Sequence, residues 1–343
     1  MVKQSNKTEI FKKYQSNVYL ATLCAAWYLC SAIASNSGKE ILNVSPHPVT
    51  LTYIHFFFVA TLLKIYGLIF PERLDTSINI NQIKKVFYVS VNQVVGHVVT
   101  TYAVANAPIS LVHTIKGVTP LFTVITCRIL FETKYSKSIY ISLIPLVTGV
   151  GLTSFKAQGL SSRGFFMALA ASLTYTFGTI INKYALEKTK ENVFESKNKQ
   201  SNSKLRLLYL TSIISLCLMA PVWFYLEGYE FFSNSSKSAL LVNDISKIGF
   251  GLFCLLNGIT HTTQVFLATT LLNSTSPVTF SITSLFKRIF VITAGFVWFR
   301  QNLTLQQSIG VTIFFVGLFM YSRAKMPKGE FTFDKKSQSQ KGH

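Results

Sequence analysis

A run of roughly 17–25 mostly apolar residues can cross about 30 Å of hydrocarbon as a helix. Ten such runs recur along this chain, at about 17–36, 49–70, 83–104, 109–131, 136–155, 164–186, 205–226, 246–271, 277–299 and 304–323. The third and fourth are parted only by Asn106-Ala107-Pro108, which predicts a tight helical hairpin. The eighth is interrupted by Asn257, Thr260, His261, Thr262, Thr263 and Gln264. Polar groups of that kind face protein or water rather than lipid. The pattern predicts an all-α membrane protein of ten transmembrane helices. A Lys-rich link over 187–204 divides the runs into six and four, and 326–343 reads as a disordered polar tail. No stretch outside the runs is long enough for a catalytic domain.

Composition fits this reading: charged residues make up only 13% of the chain, about half the share usual in a soluble domain. A net charge of +20 would suggest nucleic acid as the partner of a soluble protein, but here its distribution matters more. With both termini on one side, that side carries 23 Lys and Arg against six on the other. Positive residues stay inside, so both termini are expected in the cytosol, and the charge reports topology rather than a nucleic-acid patch. The first sixteen residues are polar and basic with no cleavage site after them, so neither a signal nor a transit peptide is expected. Cys24, Cys30, Cys127, Cys217 and Cys254 all lie in apolar runs without CxxC spacing and read as small buried hydrophobes. No metal site, cofactor or enzymatic constellation is expected; paired carboxylates and nucleophile–base spacings are missing.

Four cations break the apolar runs: Lys64, Lys116, Lys287 and Arg288. Lys64 lies near a run's end and can snorkel. The other three cost on the order of 8–10 kcal/mol together on insertion scales. All thirteen acidic residues lie in loops or at run ends, leaving these cations without a carboxylate partner. A bound phosphate or carboxylate would supply the missing charge, with the Arg fork accepting two oxygens and Lys acting as a point charge. Lys287 and Arg288 differ by about 100° around a helix, so they are expected to flank a cavity. His113 shares a face with Lys116, and His97 with Thr100, each pair at i, i+3. Asn257, His261 and Gln264 form a polar stripe suited to lining a pathway. Coupled carriers often use a buried Asp or Glu; its lack here argues for exchange of one anion for another.

A faint repeat is visible. The run holding Lys116 ends at Phe131-Glu132 and precedes a helix with Gly149-Val150-Gly151-Leu152; the run holding Lys287 ends at Phe299-Arg300 and precedes Val316-Gly317-Leu318. It suggests two inverted five-helix repeats, at about 17–155 and 164–325, between a cytosolic N-tail (1–16) and a cytosolic C-tail (326–343).

His97-Val98-Val99-Thr100, Ser110-Leu111-Val112-His113-Thr114-Ile115-Lys116 with Pro120, and Ser276-Pro277-Val278-Thr279 with Ser281 and Lys287-Arg288 together resemble the triose-phosphate translocator family of the drug/metabolite transporter superfamily. The ending from Gly310 to Tyr321-Ser322-Arg323 does too, and the resemblance spans about 20–325. It implies ten helices in two inverted halves, alternating access and strict anion exchange. It also implies that Lys116, Lys287 and Arg288 grip phosphate while His97 and Thr100 line the site, joined here by His113, His261 and Gln264. The expected cargo is a phosphorylated C3-type metabolite, such as phosphoenolpyruvate, exchanged for phosphate or a similar anion across the bilayer. Two departures stand out: Gln264 where plastid members carry a site tyrosine, and Gly178 where they carry an arginine. Contacts beyond the phosphate are therefore expected to differ. The Asn/Lys/Ser-rich tails resemble fungal secretory-pathway members, and Asn43-Val44-Ser45 and Asn234-Ser235-Ser236 are sequons on the expected lumenal side, so an ER or Golgi membrane is expected. A nucleotide-sugar transporter and a non-transporting protein of ER–Golgi organisation are the competing readings.

Overall fold

The computed structural model describes residues 2–77, 80–155, 160–193, 199–229, 244–275, 277–301 and 303–325, with most side chains from 18 onward. The expected disordered tail at 326–343, the sequon at 234–236, and the side chains of Ser276, Pro277, Val278, Thr279 and Ser281 lie outside them. All regular structure among the described residues is helical. In chain order the helices are α1 (Val2–Val44), α2 (Pro48–Ile69), α3 (Ile80–Asn106), α4 (Ile109–Ile115), α5 (Thr119–Phe131), α6 (Lys137–Ser154), α7 (Ser162–Val193), α8 (Lys199–Trp223), α9 (Asp244–Ser274), α10 (Pro277–Trp298) and α11 (Leu305–Lys325). A 3₁₀ turn (Lys116–Val118) joins α4 to α5, and a π-helical turn (Phe224–Gly228) extends α8.

Among the described residues, seven helical segments are long and apolar enough to cross a membrane: Val18–Val44, Pro48–Ile69, Ile109–Phe131, Lys137–Ser154, Lys204–Gly228, Gly249–Leu272 and Leu305–Ala324. The runs expected at 83–104, 164–186 and 277–299 are helical as α3, α7 and α10, and each includes side chains outside those described. Two boundaries differ from expectation. The link at 187–204 is helical up to Val193 and again from Lys199, because Glu and Lys are good helix formers even without an apolar face. The fourth run is helical but broken at Lys116–Val118, where Pro120 removes a backbone donor.

The core lies where α1, α3, α4, α6, α10 and α11 meet, and includes Ile41, Val104, Val112, Leu146, Ile292 and Phe314. Association of helices inside lipid depends on close van der Waals packing, which small residues permit. The contact of α6 with α11 shows this. A Cβ added at Gly149 would meet the backbone of Phe314 and Gly310; one at Gly310 would meet Thr153; one at Gly317 would meet Leu146. The two backbones therefore touch along two turns. Glu132, after α5, and Arg300, after α10, are the non-glycine residues with positive φ (50° and 47°) among those described. Each is a left-handed residue ending its helix, and after α10 the Gln301 N–H closes back on the Phe296 carbonyl at 3.0 Å.

The end of the molecule carrying the C-termini of α3 and α10 is tied by polar contacts. Lys39 Nζ donates to the Val104 and Ala105 carbonyls at 2.7 and 3.3 Å, and Ser110 Oγ to Gln301 Oε1 at 2.5 Å. Glu227, in the π turn, caps α2: its carboxylate accepts from the backbone N–H of Val49 (2.9 Å) and of Thr50 (2.7 Å) and from the Thr50 hydroxyl (2.9 Å). An anion at a helix N-terminus satisfies donors that have no partner within the helix.

Candidate functional site

The break between α4 and α5 builds the first part of the site. In an unbroken helix the N–H of residue 120 would bond the carbonyl of residue 116, but proline has none. The chain tightens into the 3₁₀ turn, and the Lys116 carbonyl takes the backbone N–H of Thr119 and its Oγ1 at 2.6 Å instead. The same oxygen takes a third, longer contact from Arg288 Nη1 at 3.2 Å, across 172 residues of sequence. The Lys116 side chain reaches α3, where Nζ donates to Thr100 Oγ1 at 3.1 Å.

Lys287 leaves α10 in another direction. Its Nζ lies 4.8 Å from the centroid of the Trp27 indole on α1. Trp27 also stacks on Phe280 at 5.5 Å, two turns before Lys287 on the same face of α10. The Tyr28 hydroxyl donates to the Thr283 carbonyl at 3.0 Å, fixing α1 against α10 there. Lys287 and Arg288 thus diverge, one toward α1 and the other toward the α4–α5 turn. All three cations are half-buried, and among the described residues none is paired with a carboxylate. Lys64, by contrast, is exposed.

Histidines form the second part. His97, one turn before Thr100 on α3, lies edge-on to His261 of α9 at 5.6 Å and to His55 of α2 at 6.4 Å. His55 and His261 stack at 3.9 Å with planes 5° apart. Gln264 Nε2 lies 3.2 Å from His261 Nδ1. Asn257, the first member of the sequence stripe, is fully buried and serves as a fastener: Nδ2 donates to the Ala34 carbonyl and Ser37 Oγ, and Oδ1 meets His55 Nε2 at 2.7 Å.

Of the residues picked from sequence, Lys116, Thr100 and Arg288 are joined by hydrogen bonds, and His97, His261 and Gln264 by ring and amide contacts. His113 is half-buried one turn before Lys116. A Cβ at Gly178 would run into the Asn92 amide of α3, so α7 passes close to α3 here and an arginine would have to displace Asn92. Trp27 and His55 were missed from the sequence. A tryptophan and a histidine inside apolar runs give no signal of their own, and only the contacts to Lys287 and His261 mark them.

Lys116 at the helix break and Lys287 and Arg288 within α10 thus lie beside hydroxyl, indole and imidazole groups inside a helical bundle. The sequence model of the Triose-phosphate Transporter family matches residues 18–322, taking in every one of these positions. The chain belongs to that family. A Schizosaccharomyces pombe protein, C83.11, whose name calls it a transporter without a stated substrate, is 34% identical over 91% of this chain and 68% of its own. Phosphoenolpyruvate/phosphate translocator 2 of Arabidopsis thaliana chloroplasts is 26% identical, covering 89% of this chain and 77% of its own. The chloroplast triose phosphate/phosphate translocator of Zea mays is 27% identical, covering 87% and 69%. As a family member the chain is a multi-pass membrane transporter rather than an enzyme. The near-equal identity to translocators named for different cargoes gives no preference among them.

Proposed function

We propose that this chain is a secondary antiporter that exchanges phosphorylated C3-type metabolites, phosphoenolpyruvate among them, for phosphate or a similar anion by alternating access. The observation that carries the reading is the junction of Lys116 with Arg288: the Arg288 guanidinium meets the Lys116 main chain at a helix break, and among the described residues neither cation has a carboxylate partner. In this reading Lys116, Lys287 and Arg288 hold the phosphate, the Arg fork taking two oxygens. His97, Thr100, His113, His261 and Gln264 line the remaining volume. Ten transmembrane helices in two inverted halves accommodate the site at their interface. The left-handed residues Glu132 and Arg300, at matching places after α5 and α10, support that internal symmetry. Both termini face the cytosol, and the membrane is that of the ER or Golgi. The names of the plant relatives, each pairing a phosphorylated metabolite with phosphate, support the exchange mode. An anion is needed to neutralise the site before the chain can occlude it, which favours exchange over net flux.

The test is counter-exchange in proteoliposomes loaded with phosphate. External phosphoenolpyruvate should drive labelled phosphate out, and Lys116→Ala, Lys287→Ala and Arg288→Ala should each abolish the exchange while still inserting into the membrane. Exchange driven only by nucleotides, or unchanged exchange in all three variants, would sink the proposal.

A further inference from the structure

Asn36 of α1 is buried in the bundle and takes no part in the site described above. We propose that it helps to open the end of the molecule that carries the C-termini of α3 and α10. Its amide is unmet while α1 lies closed on α10 there, and is met once the two helices part. This role rests on the alternating-access reading, since it concerns how one closed side of that cycle is left.

Tyr28 and Glu40, two turns before Asn36 and one after it, share its side of α1. Both meet α10: the Tyr28 hydroxyl donates to the Thr283 carbonyl at 3.0 Å, and Trp298 Nε1 to Glu40 Oε1 at 3.4 Å. Asn36 therefore faces α10 between the level of Lys287 and that of Trp298. One turn further out, Lys39 lines a cavity of about 340 Å³ with Asn106, Ile109, Ser161, Phe299 and Gln301. From Ile109 to Lys116 the chain rises only about 10 Å. The cavity and the cations are parted by a plug of buried apolar side chains that includes Leu42, Ala107, Val112 and Ile292. Asn36 lies at the depth of that plug.

Neither Nδ2 nor Oδ1 of Asn36 has a hydrogen-bond partner among the described residues, and the residue is 0% exposed. Exchanging the two atoms changes nothing, because both are unmet. A helical asparagine can reach back to its own helix, as Asn106 Nδ2 does to the Tyr102 carbonyl at 2.8 Å. Asn36 does not. Ser37, the next residue and equally buried, is bonded to the Ile33 carbonyl at 2.6 Å. An amide brings two donors and an acceptor, and leaving them unmet raises the energy of the closed arrangement. Parting α1 from α10 joins the cavity to the cations, so that water meets the amide and a passing anion accepts from Nδ2. The ties from Lys39 to the Val104 and Ala105 carbonyls and from Ser110 to Gln301 run to neutral acceptors, which water can replace. Asn36 thus shifts the balance of closed and open forms toward opening by roughly 5–150-fold.

The experiment compares the full chain with Asn36→Leu, which keeps the shape of the side chain and removes its polar groups. The melting temperature in detergent should rise, while the turnover of phosphate exchange in proteoliposomes should fall. A residue that merely supports the fold would move both downward. Opening is read directly at Ser110, which is 0% exposed below the cavity. In a chain whose five cysteines are replaced by alanine, Ser110→Cys should react with a maleimide roughly 5–150-fold more slowly once Asn36→Leu is added. An unchanged or lower melting temperature overturns the proposal, because the amide is then met in the closed bundle. A raised melting temperature with unchanged labelling overturns it too. Should the leucine not fit, Asn36→Val repeats the test, and failure of both to fold also counts against it, since loss of an unmet amide does not unfold a bundle. A wild-type chain without phosphate exchange would remove the antiport reading, while melting and labelling would still decide the role of Asn36.

Discussion

Arg288 donates from Nη1 at 3.2 Å to the backbone carbonyl of Lys116, a carbonyl that Pro120, having no N–H, cannot engage and that also accepts from the Thr119 N–H and Oγ1. The bond links α10 to the turn between α4 and α5 through main chain rather than through a carboxylate. A carboxylate would neutralise the arginine; a carbonyl orients it and leaves its charge for another partner.

Replacing Pro120 tests that relationship. Pro120→Ala restores an N–H aimed at the Lys116 carbonyl, favours a continuous helix over residues 109–131 and sets up competition with Arg288. A hydrogen bond of this kind is worth about 0.5–1.5 kcal/mol, so the apparent KM for phosphate in proteoliposome exchange should rise roughly 2–12-fold. An unchanged KM would mean that Arg288 is oriented by something else.

Trp27 offers a separate test of Lys287. The ammonium over the indole gains about 0.5–2 kcal/mol, depending on desolvation. Trp27→Leu keeps an apolar side chain but removes the ring face. The expected outcome is a KM for phosphate raised roughly 2–30-fold, with Trp27→Phe falling between Leu and wild type. Equal KM values for Leu and Phe would count against a cation–π role.

What the sequence made legible follows from what hydrocarbon forbids. Lys116, Lys287 and Arg288 stood out because a charge in an apolar run has a large cost, and Gln264 and His261 because they interrupt such a run. His55 and Trp27 carry no such mark. Each is ordinary in a membrane helix until a partner from a distant run is set beside it, and nothing local specifies that partner. The break at Lys116–Val118 was legible in principle, since Pro120 withholds one donor from an identifiable carbonyl. An apolar run of membrane-spanning length hides it, because hydropathy averages over the residue that matters.

Glu227 anchors the start of α2 to the turn after α8, with Trp223 Nε1 adding a bond to the Thr50 hydroxyl at 2.8 Å. A carboxylate accepting from three donors loses the charge-assisted part of those bonds when neutralised. Glu227→Gln should lower stability by about 1.5–3 kcal/mol, read as a lower melting temperature in detergent. Thr50→Val removes the hydroxyl but keeps both backbone bonds, so its fall should be smaller. The reverse order would mean that the hydroxyl, not the capped backbone, holds this end.

Two glycines on α6 separate packing from propensity. Gly149 faces α11, where an added methyl would strike the backbone of Phe314 and Gly310. Gly151, two residues on, has nothing within 4 Å of the place a methyl would occupy. Gly151→Ala should therefore be neutral or stabilise by about 0.5–1 kcal/mol, since alanine loses less backbone entropy in a helix. Gly149→Ala should cost about 1–3 kcal/mol, because backbone cannot rotate away as a side chain can, and α6 must part from α11. Melting temperatures of the two variants should thus move in opposite directions, or only that of Gly149→Ala should fall. Similar shifts in both would mean that the close approach of α6 and α11 is not what holds this side of the bundle.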